Sequence, residues 1–260
     1  MTIKEIYDIL NVVAPFDTQE SYDNAGILVG NEMQNKKHVL LTLDITNPVI
    51  DEALEIGADM IISHHPIIWE PIKSISPENP VWQLIQHDIG AICAHTNFDI
   101  APTGLNTYIG KKMAERIKFS GAFEPLEILS RNRTLGYTAL LARPLQTTEL
   151  AQALADVYTN NALRFYDSGK IIKKIAWCSG SGGDLMETAL ERGADALITG
   201  DCKHSIWMQA RNLSFTLFDC GHFETEVFAV ERFAQILHDA APNLKISISK
   251  RGTSPAFQTL

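Results

Sequence analysis

Paired cysteines, long apolar runs and an excess of basic residues are all missing from this 260-residue sequence. Its four cysteines are scattered and form no C-x-x-C pair, which argues against a zinc ribbon or a disulfide framework and favours a reducing compartment. No apolar run approaches the roughly 20 residues that cross a bilayer. The N-terminal stretch lacks the basic and apolar regions of a signal peptide. We therefore expect a cytoplasmic protein with no membrane partner.

Acidic residues outnumber basic ones, 31 to 22, so the formal net charge is −9. Proteins that bind nucleic acid usually carry basic patches that neutralise phosphates, so this balance argues against nucleic acid as a partner. Short basic pairs such as Lys36-Lys37 are typical of solvated surface. The length and the 45% hydrophobic content suit one large α/β domain or two small lobes with an ample core.

Strand and helix signals alternate along the first hundred residues. Thr2 and Glu5 have the spacing of a capping box at the start of a helix that Pro15 ends. Further on, the pattern predicts strands at 39–45, 58–63 and 89–95 and helices at 47–57 and about 80–88. This order is typical of an α/β fold with a parallel or mostly parallel sheet covered by helices.

The second half of the chain repeats the first. ALEIGADMIISH (53–64) matches ALERGADALITG (189–200) at an offset of 189 − 53 = 136, with 7 of 12 positions identical. Each copy follows a strand and a helix, and each is followed by an apolar strand that ends in a histidine, His95 or His222. The repeat predicts two duplicated α/β lobes. Glycine and proline interrupt the pattern near 120–125, so we place the lobes at residues 1–122 and 123–260.

A histidine and a carboxylate stand four residues apart after each of these strands. They are His95 with Asp99, in HTNFD, and His222 with Glu226, in HFETE. Ligands of open α/β sheets bind at the carboxyl ends of the strands. On a helix, residues four apart face the same way and can hold one ion.

The two copies differ at their strand ends, where His64-His65 in the first is replaced by Gly200-Asp201 in the second. A lone histidine at a strand end is usually structural, and a His/acid pair on a helix is often a surface salt bridge. Together these clusters favour metal binding. Six candidate ligands are too many for one tetrahedral zinc and suit two metals: His64, His65, His95, Asp99, His222 and Glu226.

Other polar features have simpler interpretations. SGSGGD (179–184) lacks the residues that complete a phosphate-binding loop, and we interpret it as a tight turn between a strand and a helix. His204 lies near the second copy's strand end and is a candidate for a hydrogen bond that orients a metal ligand. The remaining histidines read as surface: His38, His87 and His238.

Three passages of the chain are similar to motifs of the NIF3-like family, also labelled GTP cyclohydrolase 1 type 2 homologs. SYDNAGILVG (21–30) resembles the family's W-D-N-x-G-L-x-V-G, with Tyr22 in place of Trp. GADMIISHHPIIW (57–69) resembles its double-histidine strand, and GHFETE (221–226) its C-terminal ligand motif. AHTNFD and ITGDCKH stand in the expected order between them, so the resemblance covers about residues 3–250.

The resemblance implies a two-lobed α/β fold with a dinuclear metal site in the cleft between the lobes, and a ring-shaped homohexamer. It implies two divalent ions, zinc or iron. The implied ligands come from both lobes: His64, His65 and Asp99 from the first, His222 and the bridging Glu226 from the second. His95 matches a position near the metals.

Two divalent ions bring a charge of +4 and the two ligand carboxylates return −2, so we expect a site that attracts a small anionic substrate and activates water. His95 or His204 could move protons there. The leading hypothesis is a metal-dependent hydrolase. GTP cyclohydrolase activity is implied by the family label alone. The alternative is a metal-storage, metal-delivery or regulatory protein without catalysis. Metals with open positions favour the enzyme, and saturated ones favour the alternative.

Overall fold

The computed structural model describes residues 1–130, 133–159 and 163–252. Backbone contacts divide them into two compact units. The first comprises residues 1–104 and those described from residue 229 onward, and the second comprises residues 105–228. Each unit has its own sheet and its own hydrophobic core. The prediction of an α/β fold is therefore confirmed.

Helices and strands alternate along much of the chain. In chain order they are α1 (Ile3–Val13), β1 (Gly26–Val29), β2 (His38–Thr42), α2 (Asn47–Ile56), β3 (Met60–Ser63), α3 (Pro80–Gln86), β4 (Gly90–Cys93), α4 (Thr96–Asp99), α5 (Leu105–Ala114), β5 (Phe119–Ser130), β6 (Arg133–Leu145), α6 (Thr147–Tyr158), β7 (Arg164–Tyr166), β8 (Ile172–Trp177), α7 (Met186–Glu191), β9 (Ala196–Thr199), α8 (His204–Leu213), β10 (Thr216–Asp219), α9 (His222–Glu226), α10 (Phe228–Ala240) and β11 (Lys245–Ile248). Within the described ranges, no helix combines the length and apolar character needed to cross a membrane.

The sheet of the first unit has the strand order β1-β4-β3-β2-β11. β11, β2, β3 and β4 are parallel, and β1 pairs antiparallel with β4. Strands β2, β3 and β4 are buried along their whole length, which explains why they read as continuous apolar runs rather than alternating ones. Their parallel arrangement brings the carboxyl ends of β3 and β4 to the same edge of the sheet.

Local sequence accounts for the helix ends in this unit. Thr2 and Glu5 form the predicted capping box, in which each side chain accepts a hydrogen bond from the other residue's backbone N–H. Pro48 lies in the first turn of α2, where its missing N–H is not needed. Gly57 ends α2 in a left-handed conformation, with φ of 69°, and donates to the carbonyls of Ala53 and Leu54.

Two residues interpreted as surface are buried, so that interpretation was wrong. Lys36 is 2% exposed, and its Nζ donates to the carbonyl of Asp88 at 2.7 Å. His38 is 4% exposed, and its Nε2 lies 2.8 Å from Ser247 Oγ on β11. The causes are long-range contacts that local sequence does not reveal: Lys36 reaches the loop at Asp88, and β11 comes from the far end of the chain to pair with β2 beside His38.

The sheet of the second unit has the strand order β5-β6-β8-β9-β10-β7. Strands β8, β9 and β10 are parallel, and the other pairings are antiparallel. β5 and β6 form a long hairpin at one edge of this sheet. The carboxyl ends of β9 and β10 meet at one edge, as those of β3 and β4 do in the first unit.

From the sequence we predict a lobe boundary after residue 122. In the structure, α5 and the start of β5 belong to the second unit, whereas β11 and α10 beyond Phe228 belong to the first. The chain thus returns to its first unit at the C-terminal end. A boundary drawn from glycine and proline positions does not detect such a return.

Two turns in the two units share a hydrogen-bond pattern. Asp59 Oδ1 accepts from the backbone N–H groups of Lys37 and His38, each at 3.0 Å. Asp195 Oδ2 accepts from the second and third N–H groups of β8, at 2.7 and 3.0 Å. The glycine two residues before each aspartate has a left-handed backbone, with φ of 69° and 72°. The two aspartates are 195 − 59 = 136 residues apart, which is the offset of the sequence repeat.

Candidate metal centre

Three histidines of the first unit meet at the carboxyl ends of β3 and β4. His64 and His65 directly follow β3, and His95 follows β4 after one residue. Their ring centroids are 5.2 to 5.6 Å apart. One ring nitrogen from each lies within 4.8 Å of the others, which is close enough for shared metal ligation. The adjacency of two parallel strands therefore assembles this cluster from segments 30 residues apart.

The Nδ1 atoms of His64 and His65 each lie against an oxygen acceptor. His64 is fully buried, and its Nδ1 is 2.9 Å from the carbonyl of Ala94. His65 Nδ1 is 2.8 Å from Asp44 Oδ1, in the turn that follows β2. The backbone N–H of His65 also donates to the carbonyl of Leu43 at 3.0 Å, which ties the strand end of β3 to that turn.

His95 is oriented by a buried carboxylate. Its Nδ1 is 2.9 Å from Asp23 Oδ1, and Asp23 Oδ2 also accepts from the backbone N–H of Thr96, at 3.0 Å, and from its hydroxyl. The Asp23 side chain is fully buried. Burial alone would raise its pKa, but the hydrogen bonds from His95 and Thr96 outweigh burial and lower that pKa to about 2.

These contacts indicate how the three imidazole rings are oriented. An oxygen acceptor at Nδ1 requires the proton of a neutral imidazole to be on that nitrogen. The lone pair is then on Nε2, in each of His64, His65 and His95. Histidine ligands of metals typically have this arrangement, with the far ring N–H donating to a carboxylate or a carbonyl. The residues present therefore fit a metal ion.

Asp99 joins the same cluster from α4. Its Oδ1 is 3.6 Å from His64 Nε2, and its side chain is largely buried. Helix α4 begins immediately after His95, and the Asp99 N–H donates to the carbonyl of His95 at 3.0 Å. The i, i+4 spacing thus places Asp99 beside a histidine of the neighbouring strand, and the cluster gains an oxygen donor.

The second unit places His222 and Glu226 on one face of α9, as the i, i+4 spacing predicts. His222 Nε2 is 2.9 Å from Glu226 Oε2. Glu226 is buried and His222 is partly exposed. Val227 separates α9 from α10, so this pair of candidate ligands lies on a short helix of its own.

Asp201 orients His222 from the end of β9. Its Oδ2 is 2.9 Å from His222 Nδ1, which leaves Nε2 facing Glu226. The Ser181 hydroxyl lies 3.4 Å from the same Nδ1. Asp201 has a left-handed backbone, with φ of 50°, in the turn that carries it. In the second copy, the position that matches His65 of the double histidine is therefore occupied by Asp201, which orients His222.

The glycine-rich segment SGSGGD makes room for Glu226. A Cβ at Gly180 would lie 2.2 Å from Glu226 Oε1. The Gly180 N–H also donates to Thr225 Oγ1 at 3.0 Å, which fixes the loop against α9. A Cβ at Gly182 would lie 2.7 Å from the Cβ of Cys178, so the predicted close packing of this turn is also present.

His204 begins α8 and is exposed. It is not among the described residues whose donor atoms cluster. Three residues that the structure places at the histidines were not predicted from the sequence: Asp23, Asp44 and Asp201. A signal was present for two of them, because Asp44 and Asp201 each stand 21 residues before the histidine that they contact.

A family model described as Duf34/NIF3 (NGG1p interacting factor 3) matches residues 1–255. The chain belongs to the DUF34/NIF3 family. This confirms the family indicated by the double histidine and by GHFETE. A Campylobacter jejuni relative named GTP cyclohydrolase 1 type 2 homolog is 32% identical over 255 residues, which are 96% of this chain and 98% of the relative.

Solved structures agree with this membership. A hypothetical protein of Staphylococcus aureus superposes with a TM-score of 0.87 at 28% identity, covering 100% of this chain and 99% of that one. Reduced HcgD from Methanocaldococcus jannaschii superposes with a TM-score of 0.81 at 28% identity, covering 96% and 98%. The NIF3 fold of this chain is thus a mixed α/β fold with two sheets.

Chemically, this NIF3-family chain offers imidazole nitrogens and carboxylate oxygens in two groups. One is in the first unit, with His64, His65, His95 and Asp99, and the other is in the second, with His222 and Glu226. Nitrogen and oxygen donors of this kind suit zinc and iron. That these residues bind metal stays a prediction, and their geometry fits it.

Proposed function

We propose that this NIF3-family chain is a metal-dependent hydrolase that acts on a small anionic substrate. The observation that carries the proposal is the orientation of the histidines: His65, His95 and His222 each have a carboxylate at Nδ1, the arrangement in which metal-ligating histidines typically present Nε2 to the ion. Divalent ions bound there would lower the pKa of water toward neutrality and so supply a nucleophile at neutral pH.

We propose that the ligands of both units serve two ions together. Catalytic zinc sites usually have three protein ligands. His222 and Glu226 are only two, whereas the first unit offers four donors. Six donors shared by two ions would give three to each and leave positions open for water and substrate. The count supports a dinuclear centre, and the metal content of the purified protein tests it.

We also propose that the two units arose by duplication. The equivalent contacts of Asp59 and Asp195, at the repeat's own offset of 136, support this. So does the parallel βαβ order that each unit contains. The copies then diverged at their strand ends: the position that carries the ligand His65 in one carries Asp201 in the other.

The carboxylates change the charge expected at the centre. Two divalent ions and two ligand carboxylates give +2, but Asp23, Asp44 and Asp201 add a formal −3. The sum is then −1, because +4 − 2 − 3 = −1. Asp44 and Asp201 are exposed and therefore screened by solvent, whereas Asp23 is buried. Attraction of an anionic substrate would thus come from open coordination positions on the ions rather than from a net positive site.

The relatives' shared name makes GTP the first substrate to test on this chain. Hydrolysis of its guanine imidazole ring would consume two waters: the first opens the ring to a formamide, and the second releases formate and leaves an amine. Elemental mass spectrometry measures the metal bound to the purified protein. Hydrolysis is then assayed with GTP, other nucleotides and small phosphate or amide substrates. We expect two ions per chain and an activity that His65→Ala and Glu226→Ala remove. His87→Ala, at an exposed histidine outside the cluster, is the matched control.

Each outcome separates the two hypotheses. Without stoichiometric metal in the wild type, the metal centre is refuted. If the wild type binds two ions but hydrolyses no substrate faster than the His65→Ala variant does, storage or delivery of metal is favoured. We further propose that the chain assembles as a homohexamer, as the family resemblance implies, and its mass in solution tests this separately.

A further inference from the structure

Two aromatic side chains lie exposed beside the histidine cluster of the first unit. The loop between β3 and α3 contains Trp69, which is 50% exposed. Ile67 and Ile68, just before it, pack against the hydrophobic core of the unit. Packing of Ile67 and Ile68 thus fixes the segment of the loop that carries the exposed indole of Trp69.

Trp69 is close to the histidines. Its ring centroid is 5.5 Å from that of His95, and the two rings are nearly perpendicular, at 72°. Tyr22 also lies near Trp69, with the two ring centroids 6.4 Å apart, and is 64% exposed. An exposed aromatic pair therefore borders a candidate metal ligand.

Hydrogen bonds hold the two aromatic segments in place. Asn24 Nδ2 donates to the carbonyl of Ile68 at 2.6 Å, which joins the turn of Tyr22 to the loop of Trp69. Asp23, between Tyr22 and Asn24, is fixed to His95 and Thr96. The turn that orients His95 is thus the turn that presents Tyr22. A surface positioned in this way loses little freedom when a ligand binds.

We propose that Tyr22 and Trp69 form a subsite for the planar heteroaromatic part of the substrate. This rests on the proposed function, and it assigns a ring-containing substrate to that site. A ring stacked on an aromatic side chain at about 3.5 to 4 Å would keep its substituents near His95. Stacking is tolerant of ring type because every base has a π-face. The subsite would therefore select ring-bearing anions over anions without a ring.

The test compares ligands that differ by the ring. GTP, ATP and UTP are each titrated against the metal-loaded protein, and inorganic tripolyphosphate is the probe without a ring. Nucleotide integrity is checked by chromatography. We expect the wild type to bind at least one nucleotide about tenfold more tightly than tripolyphosphate. Trp69→Ala should lose about tenfold for that nucleotide and nothing for tripolyphosphate, whereas Trp69→Phe should retain most of the affinity.

Trp82→Ala is the matched control, because Trp82 is a 39% exposed tryptophan of the same unit on α3. It should leave both affinities unchanged. The inference is overturned if the wild type binds no nucleotide more tightly than tripolyphosphate. It is also overturned if Trp69→Ala weakens both ligands equally, or if it changes the mass of the assembly in solution, which would make Trp69 a contact between copies.

The inference and the proposed function fail separately. Loss of ring preference with intact metal content and hydrolysis would leave the hydrolase standing. Ring-dependent binding that persists while no substrate is turned over would refute the hydrolase and leave the subsite standing.

Discussion

Asp201 lies 2.9 Å from Nδ1 of His222 and stands at the position that the sequence repeat matches to His65. The first copy therefore has a candidate metal ligand, His65, after its strand. The second copy has a carboxylate there, Asp201, which orients another candidate ligand, His222. His65 has a carboxylate of its own, Asp44, at 2.8 Å. Both aspartates precede their histidine by 21 residues, so a similar contact between successive strand ends occurs in each unit, although at positions that the repeat does not match to each other.

Asp201→Asn should weaken metal binding without unfolding the protein. The amide can present its nitrogen or its oxygen to His222, so the charge and the fixed acceptor at Nδ1 are lost. Losing such a partner typically lowers metal affinity about 10- to 100-fold. Competition with a chelator of known affinity measures this, and imidazole 15N shifts report whether Nδ1 still carries the proton.

Asp184→Asn is the matched control for that variant, because Asp184 is an exposed aspartate of the same unit. It removes the same charge away from His222 and should leave both readouts unchanged. Equal metal affinity in Asp201→Asn and the wild type would show that Asp201 has no positioning role.

Asp23→Asn should lower both stability and metal affinity. The Asp23 carboxylate is buried and accepts from His95 and Thr96, and hydrogen bonds to a charged group contribute about 1.5 to 3 kcal/mol each. Asparagine keeps one acceptor and places an N–H against a donor. We expect a loss of about 2 kcal/mol in the free energy of unfolding, measured by urea denaturation of the metal-free protein.

Thr96→Val separates the two effects of Asp23. It removes the hydroxyl bond to Asp23 and keeps the contact between Asp23 and His95. We expect reduced stability with near-normal metal affinity. If Thr96→Val lowers metal affinity as much as Asp23→Asn does, the role of Asp23 is general support of the turn rather than orientation of His95.

The sequence could predict most of what local signals determine. The capping box at Thr2, the end of α2 at Gly57 and the buried parallel strands followed from residue type and spacing, because each depends on neighbours within one turn or strand. The strand ends at His64 and His222 were also predictable, since the repeat marks both. In each unit, these strand ends carry candidate ligands.

The rest depends on contacts that no local pattern contains. Lys36 and His38 are buried because distant segments cover them: Lys36 reaches the loop at Asp88, and β11 pairs beside His38. Asp23 meets His95 across 72 residues through a turn that composition alone marks only as a loop. Polar residues in turns carry no periodicity, so their partners appear only in three dimensions.

Gly180→Ala should weaken metal binding by displacing Glu226. A Cβ there would lie 2.2 Å from Glu226 Oε1, and φ is 58°, so the variant combines a steric clash with backbone strain. Gly169→Ala is a matched control in the same unit, because its φ is 74° and a Cβ there meets nothing within 4 Å. Strain alone costs about 1 kcal/mol or somewhat more.

Both glycine variants should therefore lose stability in urea denaturation, and Gly180→Ala alone should lose metal affinity in chelator competition. Metal affinity that falls equally in both variants would contradict the steric role of Gly180. Unchanged affinity in Gly180→Ala would show that Glu226 can move without consequence for the metal, which would count against Glu226 as a ligand.

Glu52→Gln should destabilise the first unit in a pH-dependent way. Glu52 is buried and accepts from Ser249 Oγ at 2.6 Å and from the backbone N–H groups of Lys250 and Arg251. Burial alone would raise the pKa of this carboxyl, but these hydrogen bonds outweigh burial and lower that pKa below its ordinary 4.5. The charged form is thus favoured by folding.

A carboxyl whose pKa is depressed in the folded state contributes stability above its unfolded pKa, and that contribution is lost as the pH falls through the folded pKa. We expect Glu52→Gln to cost about 1 kcal/mol at pH 7, and the difference from the wild type to shrink below about pH 4.5. Urea denaturation at pH 7, 5 and 3.5 measures this. Glu55→Gln, which removes only the exposed ion pair with Arg251, should cost about 0.5 kcal/mol or less at pH 7. A Glu52→Gln deficit that is constant over this range would mean that the charge of Glu52 does not hold the C-terminal segment.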